Sequence, residues 1–302
     1  MKVNKLFILG FVCLIGSFAS CSKEDTPLSE QTKIALSSGI DMGMVPTKAM
    51  QEVQIVLNEK LSLFINKNAG ANVYNNVEIT ANGSGGFTHT PLYYPLDNSS
   101  IDLYAVHPYN ATASLTEAMP FAVQTNQTTN AGYLSSDLLY TSKANIGRSV
   151  NAIQLTFAHK LAQLEFTIKK GAGMELDNLN TVTITGMKTN TTIDLATGAL
   201  GEATGTAANI SANGVRGTEE EETEVAGITA IVIPQTINSG VKLFKITIGT
   251  IDYYYTTTSS LTFESGKKYN LQLTMNHTGI LLESVIEAWG EGDTITGDGE
   301  AE

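Results

Sequence analysis

Residues 155–168 constrain the fold more than any other part of this chain. Their apolar residues alternate with polar ones, which is typical of a half-buried β-strand because successive side chains point to opposite faces. The alternation slips by one residue near Ala162, and such a slip moves every following side chain to the other face. The slip separates Leu155, Phe157 and Leu161 on one parity from Leu164, Phe166 and Ile168 on the other. Either a β-bulge lies there, or the strand leaves one hydrophobic core and enters another.

The slip lies close to the middle of the 302 residues, and chains of this length commonly form two domains. We therefore predict two β domains, residues 51–154 and residues 155–302, each long enough to bury its own core. Charged residues make up only 16% of the chain, whereas Thr, Asn, Gly and Ser are abundant. This composition suits strands and turns rather than helices. The predicted fold class is all-β.

The start of the chain predicts a secreted, lipid-anchored protein. Lys2 and Lys5 precede an apolar run at residues 6–15, which is too short for an ordinary membrane span, and small residues lead to Cys21. The segment resembles a bacterial lipoprotein signal in which residues 1–20 are removed and Cys21 carries the lipid. The alternative is an ordinary cleaved signal peptide with an incidental cysteine. Cys21 is the only cysteine after this peptide, so no disulfide can form within the mature chain.

Charge and composition also indicate the compartment and exclude one class of partner. Residues 22–25, Ser-Lys-Glu-Asp, resemble the export tag of surface lipoproteins in Bacteroidetes, although a solvated tether would have the same composition. We predict a surface-exposed lipoprotein of the outer membrane, held by the lipid on Cys21. The formal net charge of −12 argues against a nucleic-acid partner, because phosphate binding needs clustered Lys and Arg.

The sequence carries no recognisable catalytic or metal-binding motif. The four histidines lie far apart without metal-ligand spacing, and motifs of hydrolases, zinc proteases and phosphate-binding loops are missing. His159 shares the parity of Phe157, which favours a hydrogen-bonded core or interface histidine. The acidic run at residues 219–222 is interpreted as solvated, because the spacing of a calcium loop is missing. We predict no enzyme, no cofactor and no metal; a Ser/His/Asp set assembled only by folding stays an alternative.

A series of short motifs resembles the fimbrillin family of Bacteroidetes, the FimA/Mfa-like pilus subunits. After the lipoprotein signal and the Thr-Lys-Ala step at 47–49, the motifs are PLYYP at 91–95, IDLYAVHPY at 101–109, SDLLY at 136–140, FAHKL at 157–161, IPQ at 233–235, FESGKKY at 263–269 and IEAW at 286–289. Their order along most of the chain makes the resemblance specific. It implies two transthyretin-like β-sandwich domains in tandem after a lipoprotein signal peptide.

The resemblance also implies a structural subunit of a cell-surface fimbria that serves adhesion. In this family a protease removes the first strand of a lipidated precursor, here within residues 21–50, and the opened groove accepts a strand of another subunit. The implied partners are other fimbrial subunits and a host or bacterial surface receptor. A sheet that lacks a strand exposes unpaired backbone groups, which a partner strand satisfies. The alternatives are a non-polymerising surface lipoprotein that binds glycan or protein, and an unrecognised hydrolase.

Lys48 is the predicted processing site, with Ala49 as the first residue of the mature subunit. An exposed basic loop is open to a trypsin-like protease. Lys48 lies between a weak first strand around residues 34–36 and a second strand expected at residues 53–57. Lys33 is the alternative, but a cut there would release almost none of the first strand.

The last predicted strand, residues 280–289, is the candidate donor strand. Because this predicted strand is terminal, it could leave its sheet without displacing other elements. Ile280, Leu282 and Ile286 share one parity and Trp289 lies on the other, so both faces are largely apolar. That is unusual for a strand at an exposed sheet edge, and the groove of a neighbour would cover both faces. The alternative is a central strand of its own domain.

Overall fold

The computed structural model of the chain describes residues 31–40, 54–68, 70, 72–219, 222–277, 279–287 and 296–298. For residues 283–287 and 296–298 it describes the backbone alone. The predictions for the signal peptide 1–20, Cys21, Lys48, Ala49 and Trp289 concern residues outside these ranges.

Within the described residues the regular secondary structure is almost entirely strand, as the composition predicts. In chain order the strands are β1 Leu36–Ile40, β2 Lys60–Lys67, β3 Asn72–Ala81, β4 Phe87–Thr88, β5 Ile101–His107, β6 Met119–Ala122, β7 Leu139–Ile146, β8 Ile153–His159, β9 Ala162–Lys170, β10 Leu179–Asp194, β11 Ala199–Leu200, β12 Thr204–Ser211, β13 Glu224–Val232, β14 Gln235–Ile237, β15 Lys242–Ile248, β16 Ile251–Thr256, β17 Leu261–Phe263, β18 Lys268–Asn276, β19 Gly279–Glu287 and β20 Thr296–Asp298. One short helix, α1 Asn130–Ser136, lies between β6 and β7. The strand expected at residues 53–57 is wrong over residues 54–57, which are irregular.

The first sheet has seven strands in the order β1-β8-β7-β5-β2-β3-β4. Its neighbours are antiparallel except β1 and β8, which run parallel. Ile153, Leu155 and Phe157 of β8 are buried, and the residues between them are exposed. Apolar residues on this parity therefore turn one face of the sheet towards the first hydrophobic core.

The second core is enclosed by two further sheets. One has the order β11-β10-β15-β16, with β6 and β12 also paired to β10, and the other has the order β13-β9-β18-β19-β20. Phe166 of β9 and Phe244 of β15 meet edge to face, with ring centroids 5.1 Å apart. Each phenyl ring comes from a different sheet, so the two sheets pack face to face over one core.

The slip in parity marks the passage of the chain from one core to the other. Leu155 and Phe157 of β8 lie in the first core, whereas Leu161, Leu164 and Phe166 lie in the second. The change of core therefore comes at residues 160–161, not at the predicted domain start of 155, and Leu161 belongs with the residues that follow it. The described residues from 31 onward group into one compact unit, so the division into two domains stays a prediction.

The connection between β5 and β7 leaves the first sheet and packs on the second core. Its strand β6 pairs with β10, from Asn190↔Ala122 to Ile193↔Met119. Met119, Phe121, Val123 and Tyr133 are buried in the second core. Residues 108–138 therefore belong to the second core by packing, although their position in the chain assigned them to the first predicted domain.

Candidate strand-exchange site at the first strand

The strand β1 occupies the edge of the first sheet. It pairs in parallel with β8, from Leu36↔Ile153 to Ile40↔Phe157. Ile34, Leu36 and Ile40 are at most 8% exposed and belong to the first core. Each such side chain contributes about 1.5–3 kcal/mol through removal of apolar surface from water. These three anchors hold β1 in the core.

A second set of backbone contacts holds the other edge of β1. The Ser38 amide donates to the Gly85 carbonyl over 2.7 Å, and the Ile34 amide donates to the Leu92 carbonyl over 2.8 Å. Just upstream, the Tyr94 amide donates to the Thr32 carbonyl over 3.0 Å. The chain at β1 thus lies between β8 and residues 85–94, and its removal would leave backbone groups unpaired on both sides.

The middle of β1 is small and polar. Ser37 donates its hydroxyl hydrogen to Oε1 of Gln154 over 2.8 Å. A Cβ atom at Gly39 would come within 3.1 Å of Nε2 of the same Gln154. Side chains at these two positions are therefore limited by Gln154, which lies on the neighbouring strand β8. The strand β1 therefore places large apolar residues at its two ends and a small residue, Gly39, against Gln154.

The predicted donor segment is paired within its own sheet. The strand β19 forms nine residue pairs with β18, and β20 pairs with its outer edge. Ile280 and Leu282 are 0% and 2% exposed in the second core. The backbone of Ile286 lies opposite Tyr269, and Trp289 is outside the described residues. This arrangement corresponds to the alternative interpretation, a strand of its own domain.

A buried polar cluster that the sequence did not predict lies at the end of the first sheet nearest the second core. Nε2 of His107 lies 2.8 Å from Oε2 of Glu59, and Nδ1 of His107 lies 2.7 Å from the Asp137 carbonyl. Nδ1 of His159 lies 2.8 Å from Oδ1 of Asp137. His159 is thus a hydrogen-bonded interface histidine, as predicted. His107 and Asp137 lie within two of the motifs that resemble the fimbrillin family, and this position is the sequence signal that could have pointed to the other members of the cluster.

The two described residues of the acidic run, Glu219 and Glu222, make specific hydrogen bonds. Oε2 and Oε1 of Glu222 accept hydrogen bonds from the Arg216 guanidinium at 2.7 and 3.0 Å. Glu222 also accepts from the Glu219 amide at 2.8 Å. The Arg216 hydrogen bond is the main reason that the pKa of Glu222 is lowered to about 2. Glu222 is therefore held to Arg216 by two hydrogen bonds.

Neither a metal centre nor a membrane-spanning helix is found where the chain is described. No group of three or more His, Cys, Asp or Glu residues there could hold a metal ion. No helix of that part is long and apolar enough to cross a bilayer.

The strand order and the edge position of β1 can be compared with known proteins. A family model described as fimbrillin-like matches residues 47–289, which is most of the chain. The chain belongs to the fimbrillin-like family. Fimbrillin-like proteins are fimbrial proteins of the cell surface, so this chain is a structural protein and not an enzyme. The match begins beyond β1 and ends at Trp289.

Individual relatives agree with the fimbrillin-like assignment. A protein of Bacteroides uniformis named as a candidate fimbrium subunit, Fim1C, is 28% identical over 306 residues, covering 93% of this chain and 94% of the relative. The crystal structure of a candidate cell adhesion protein from Bacteroides uniformis superposes with a TM-score of 0.64 at 21% identity, covering 85% of this chain and 98% of that one. One from Bacteroides ovatus gives a TM-score of 0.67 at 15% identity, covering 87% and 99%. These likenesses confirm the fold.

Proposed function

We propose that this chain is a structural subunit of a surface fimbria, which assembles by exchange of β1 for a strand of another subunit and serves adhesion. The observation that carries the proposal is the position of β1. It is a five-residue edge strand with large apolar residues only at its ends. Because β1 is the terminal strand in the order of its sheet, it can leave without breaking the pairs between the other strands, and the emptied groove would then accept another strand. The two cores would be tandem transthyretin-like domains.

Anchoring of the precursor rests on Cys21. Its position directly after a short apolar run and small residues supports lipidation, which would hold the precursor on the outer membrane until processing. Cys21→Ala should abolish the incorporation of a lipid analogue in growing cells. Undiminished labelling of the variant would overturn this part of the proposal.

Processing after Lys48 would release β1. The residue follows β1 in the chain, so the cut separates β1 from the rest of the protein, and the family match begins at the preceding residue. Protease-treated precursor should form SDS-resistant ladders whose subunits begin at Ala49 by mass spectrometry. Lys48→Gln should abolish the ladders, whereas Lys33→Gln, an exposed lysine before β1, should leave them unchanged. Sheared surface material that begins only at Cys21 would contradict processing.

The donor strand is proposed to be the segment 280–289. Removal of residues 280–302 distinguishes it from a strand that only its own domain needs. A truncated protein that stays folded and no longer assembles supports the donor role. A truncated protein that unfolds would assign the segment to its own core, and the donor would lie elsewhere.

The second candidate function is a surface lipoprotein that binds glycan or protein and does not polymerise. The burial of Ile280 and Leu282 favours it, because a strand already covered in its own core is costly to extract. Protease-treated protein that stays monomeric in SDS, with β1 removed, would favour this candidate over a fimbrial subunit.

A further inference from the structure

Two loops at the start of β1 form an exposed apolar surface, which we call the front surface. It consists of residues 95–98 and 147–151. Leu96 is 55% exposed and Val150 is 86% exposed. Exposed apolar side chains that stand alone are common on proteins, but two on adjoining loops indicate a binding surface when the loops are fixed.

The front surface is fixed by polar contacts beneath it. Nη2 of Arg148 donates to the Pro95 carbonyl over 2.6 Å, which joins the two loops directly. Nζ of Lys67 lies 2.7 Å from Oδ2 of Asp97, which ties the first loop to the end of β2. The Asn151 amide donates to the Ser149 hydroxyl over 3.0 Å within the second loop. A surface ordered in this way loses little conformational entropy when a partner binds.

The direction of β1 decides which part of a partner reaches the front surface. Residues 147–151 lead directly into β8, and β1 starts beside the start of β8 because the two strands are parallel. The carbonyl of Thr32, just before β1, accepts from the Tyr94 amide beside Pro95. A replacement strand with the same direction therefore enters next to the front surface. The part of the donor subunit that directly precedes the replacement strand must then lie there too.

The opposite end of the second core carries the turn from which β19 would swing out. We call it the rear surface, consisting of residues 171–178 and 217–219 with the turns at 249–251 and 276–277. The Gly171 amide donates to the Met275 carbonyl, the Thr218 amide to the Leu176 carbonyl, and the Gly249 amide to the Asn178 carbonyl. Ile251 is 57% exposed there. Three of the four large apolar side chains that are more than half exposed in the described residues thus lie on the front or rear surface.

The charges of the two surfaces are opposite in sign. The front surface itself holds Asp97 and Arg148; Lys67 contacts Asp97 and Lys33 pairs with Tyr93 beside the first loop, so basic residues outnumber acidic ones there. Around the rear surface the acidic residues outnumber the basic ones, with Glu175, Asp177, Glu219 and Glu222 against Lys170 and Arg216. Two copies that meet front to rear therefore attract each other, although the net charge of −12 makes most other contacts repulsive.

We propose that the front surface docks against the rear surface of a second copy of this chain, whose β19 occupies the place of β1. This inference rests on the proposed function and adds to it a contact between subunit bodies, separate from the strand itself. The contact is heterologous, so it repeats in one direction and extends a filament instead of closing a dimer.

The test compares strand binding with assembly in full-length chain cut by a trypsin-like protease. Val150→Glu should lower the polymerisation rate about tenfold, since loss of one buried valine contact is worth about 1.5 kcal/mol. Ile251→Glu on the donor side should act similarly. Val150→Lys should be less impaired than Val150→Glu at low salt, because the rear surface is acidic, and high salt should reduce the difference. Leu57→Glu is the matched control, as Leu57 is 56% exposed and precedes β2 at the opposite end of the first sheet.

A synthetic peptide of residues 280–289 separates this inference from the proposed function. The peptide carries the strand without the subunit body, so it should bind the processed wild-type protein and Val150→Glu equally. Polymerisation of Val150→Glu at the wild-type rate, or equal impairment by Leu57→Glu, would overturn the docking surface while strand exchange stands. Failure of the wild-type protein to bind the peptide would overturn exchange of this strand, and the docking surface with it.

Discussion

At the residue scale, His107 is the buried group whose contacts most need explanation. It is fully buried, and its two ring nitrogens contact the Asp137 carbonyl and the Glu59 carboxylate. A carbonyl oxygen only accepts, so Nδ1 of His107 donates its hydrogen to the Asp137 carbonyl, while Nε2 faces the Glu59 carboxylate. Together with the contact between Asp137 and His159, this joins the start of β2 to the ends of β5 and β8.

Glu59→Ala is expected to destabilise the protein by about 1–3 kcal/mol, because it leaves Nε2 of buried His107 without its partner. The Glu59 side chain is 26% exposed, so little packing is lost with it. Glu59→Gln keeps an oxygen at this position and should cost less. The free energy of unfolding from urea titrations measures both. Equal stability of Glu59→Ala and the wild type would show that the contact contributes nothing.

The pair of Glu222 and Arg216 predicts a pH dependence of stability. The folded-state pKa of Glu222, about 2, lies below its ordinary value of 4.5, so its contribution is complete above about pH 4.5. It declines as the pH falls through the folded-state pKa and is absent below it. The difference in Tm between wild type and Glu222→Gln should therefore shrink on acidification. A difference in Tm that stays constant on acidification would contradict the prediction.

At the element scale, the connection 108–138 acts as a strap between the two cores. Its ends continue into β5 and β7 of the first sheet, while β6 and α1 pack on the second core. Thr129 caps α1 by accepting a hydrogen bond from the Gly132 amide. The Tyr133 hydroxyl accepts a hydrogen bond from Nε2 of Gln163. Burial of Tyr133 raises the pKa of its phenol well above the usual range. The strap is thus attached by polar contacts as well as by apolar packing.

Gln127 is predicted to be the main polar attachment of the strap. Gln127 is fully buried. Its Nε2 donates to the Ile231 carbonyl, and its Oε1 accepts from the Ile231 backbone amide, each over 2.8 Å. Gln127→Met keeps the length but leaves these backbone groups of β13 unpaired, at a cost of about 1–3 kcal/mol each. Gln124→Met, at an exposed position, is the control. A variant as stable as the control in urea unfolding would show that the bonds are dispensable.

At the scale of the whole molecule, the two cores are interlocked instead of being strung on a linker. The chain passes from β8 to β9 with two residues between them, and the strap returns across the same junction. Ser265 donates its hydroxyl hydrogen to the Lys160 carbonyl over 2.7 Å, and the Gly266 amide donates to the Leu161 carbonyl over 2.9 Å. Relative motion of the cores would break these contacts, so the subunit is expected to be stiff.

We therefore expect one cooperative thermal transition for the full chain in scanning calorimetry, with equal calorimetric and van't Hoff enthalpies. Independent domains joined by a flexible linker would unfold in two steps. Gln127→Met, which weakens the strap, should broaden the transition or divide it. Two well-separated transitions in the wild type would contradict the interlocked arrangement.

The sequence by itself determined most of the strands, their buried faces and, to within a few residues, the place where the chain changes core. These follow from alternation, which is local: the parity of Leu155 and Phe157 against Leu164 and Phe166 is readable without a partner. Ordered short motifs carried the family, and the match over residues 47–289 confirmed it.

Only the tertiary structure decided which strands pair and which core each segment joins. The bond from Ser37 to Ile153 joins residues 116 apart in the chain, and alternation fixes the face of a strand but not its neighbour. For the same reason the sequence missed the crossing of β6 to β10 and the meeting of Glu59, His107, Asp137 and His159. It also could not place β19, because the apolar pattern of a strand is the same whether the strand is covered by its own core or by the groove of another subunit.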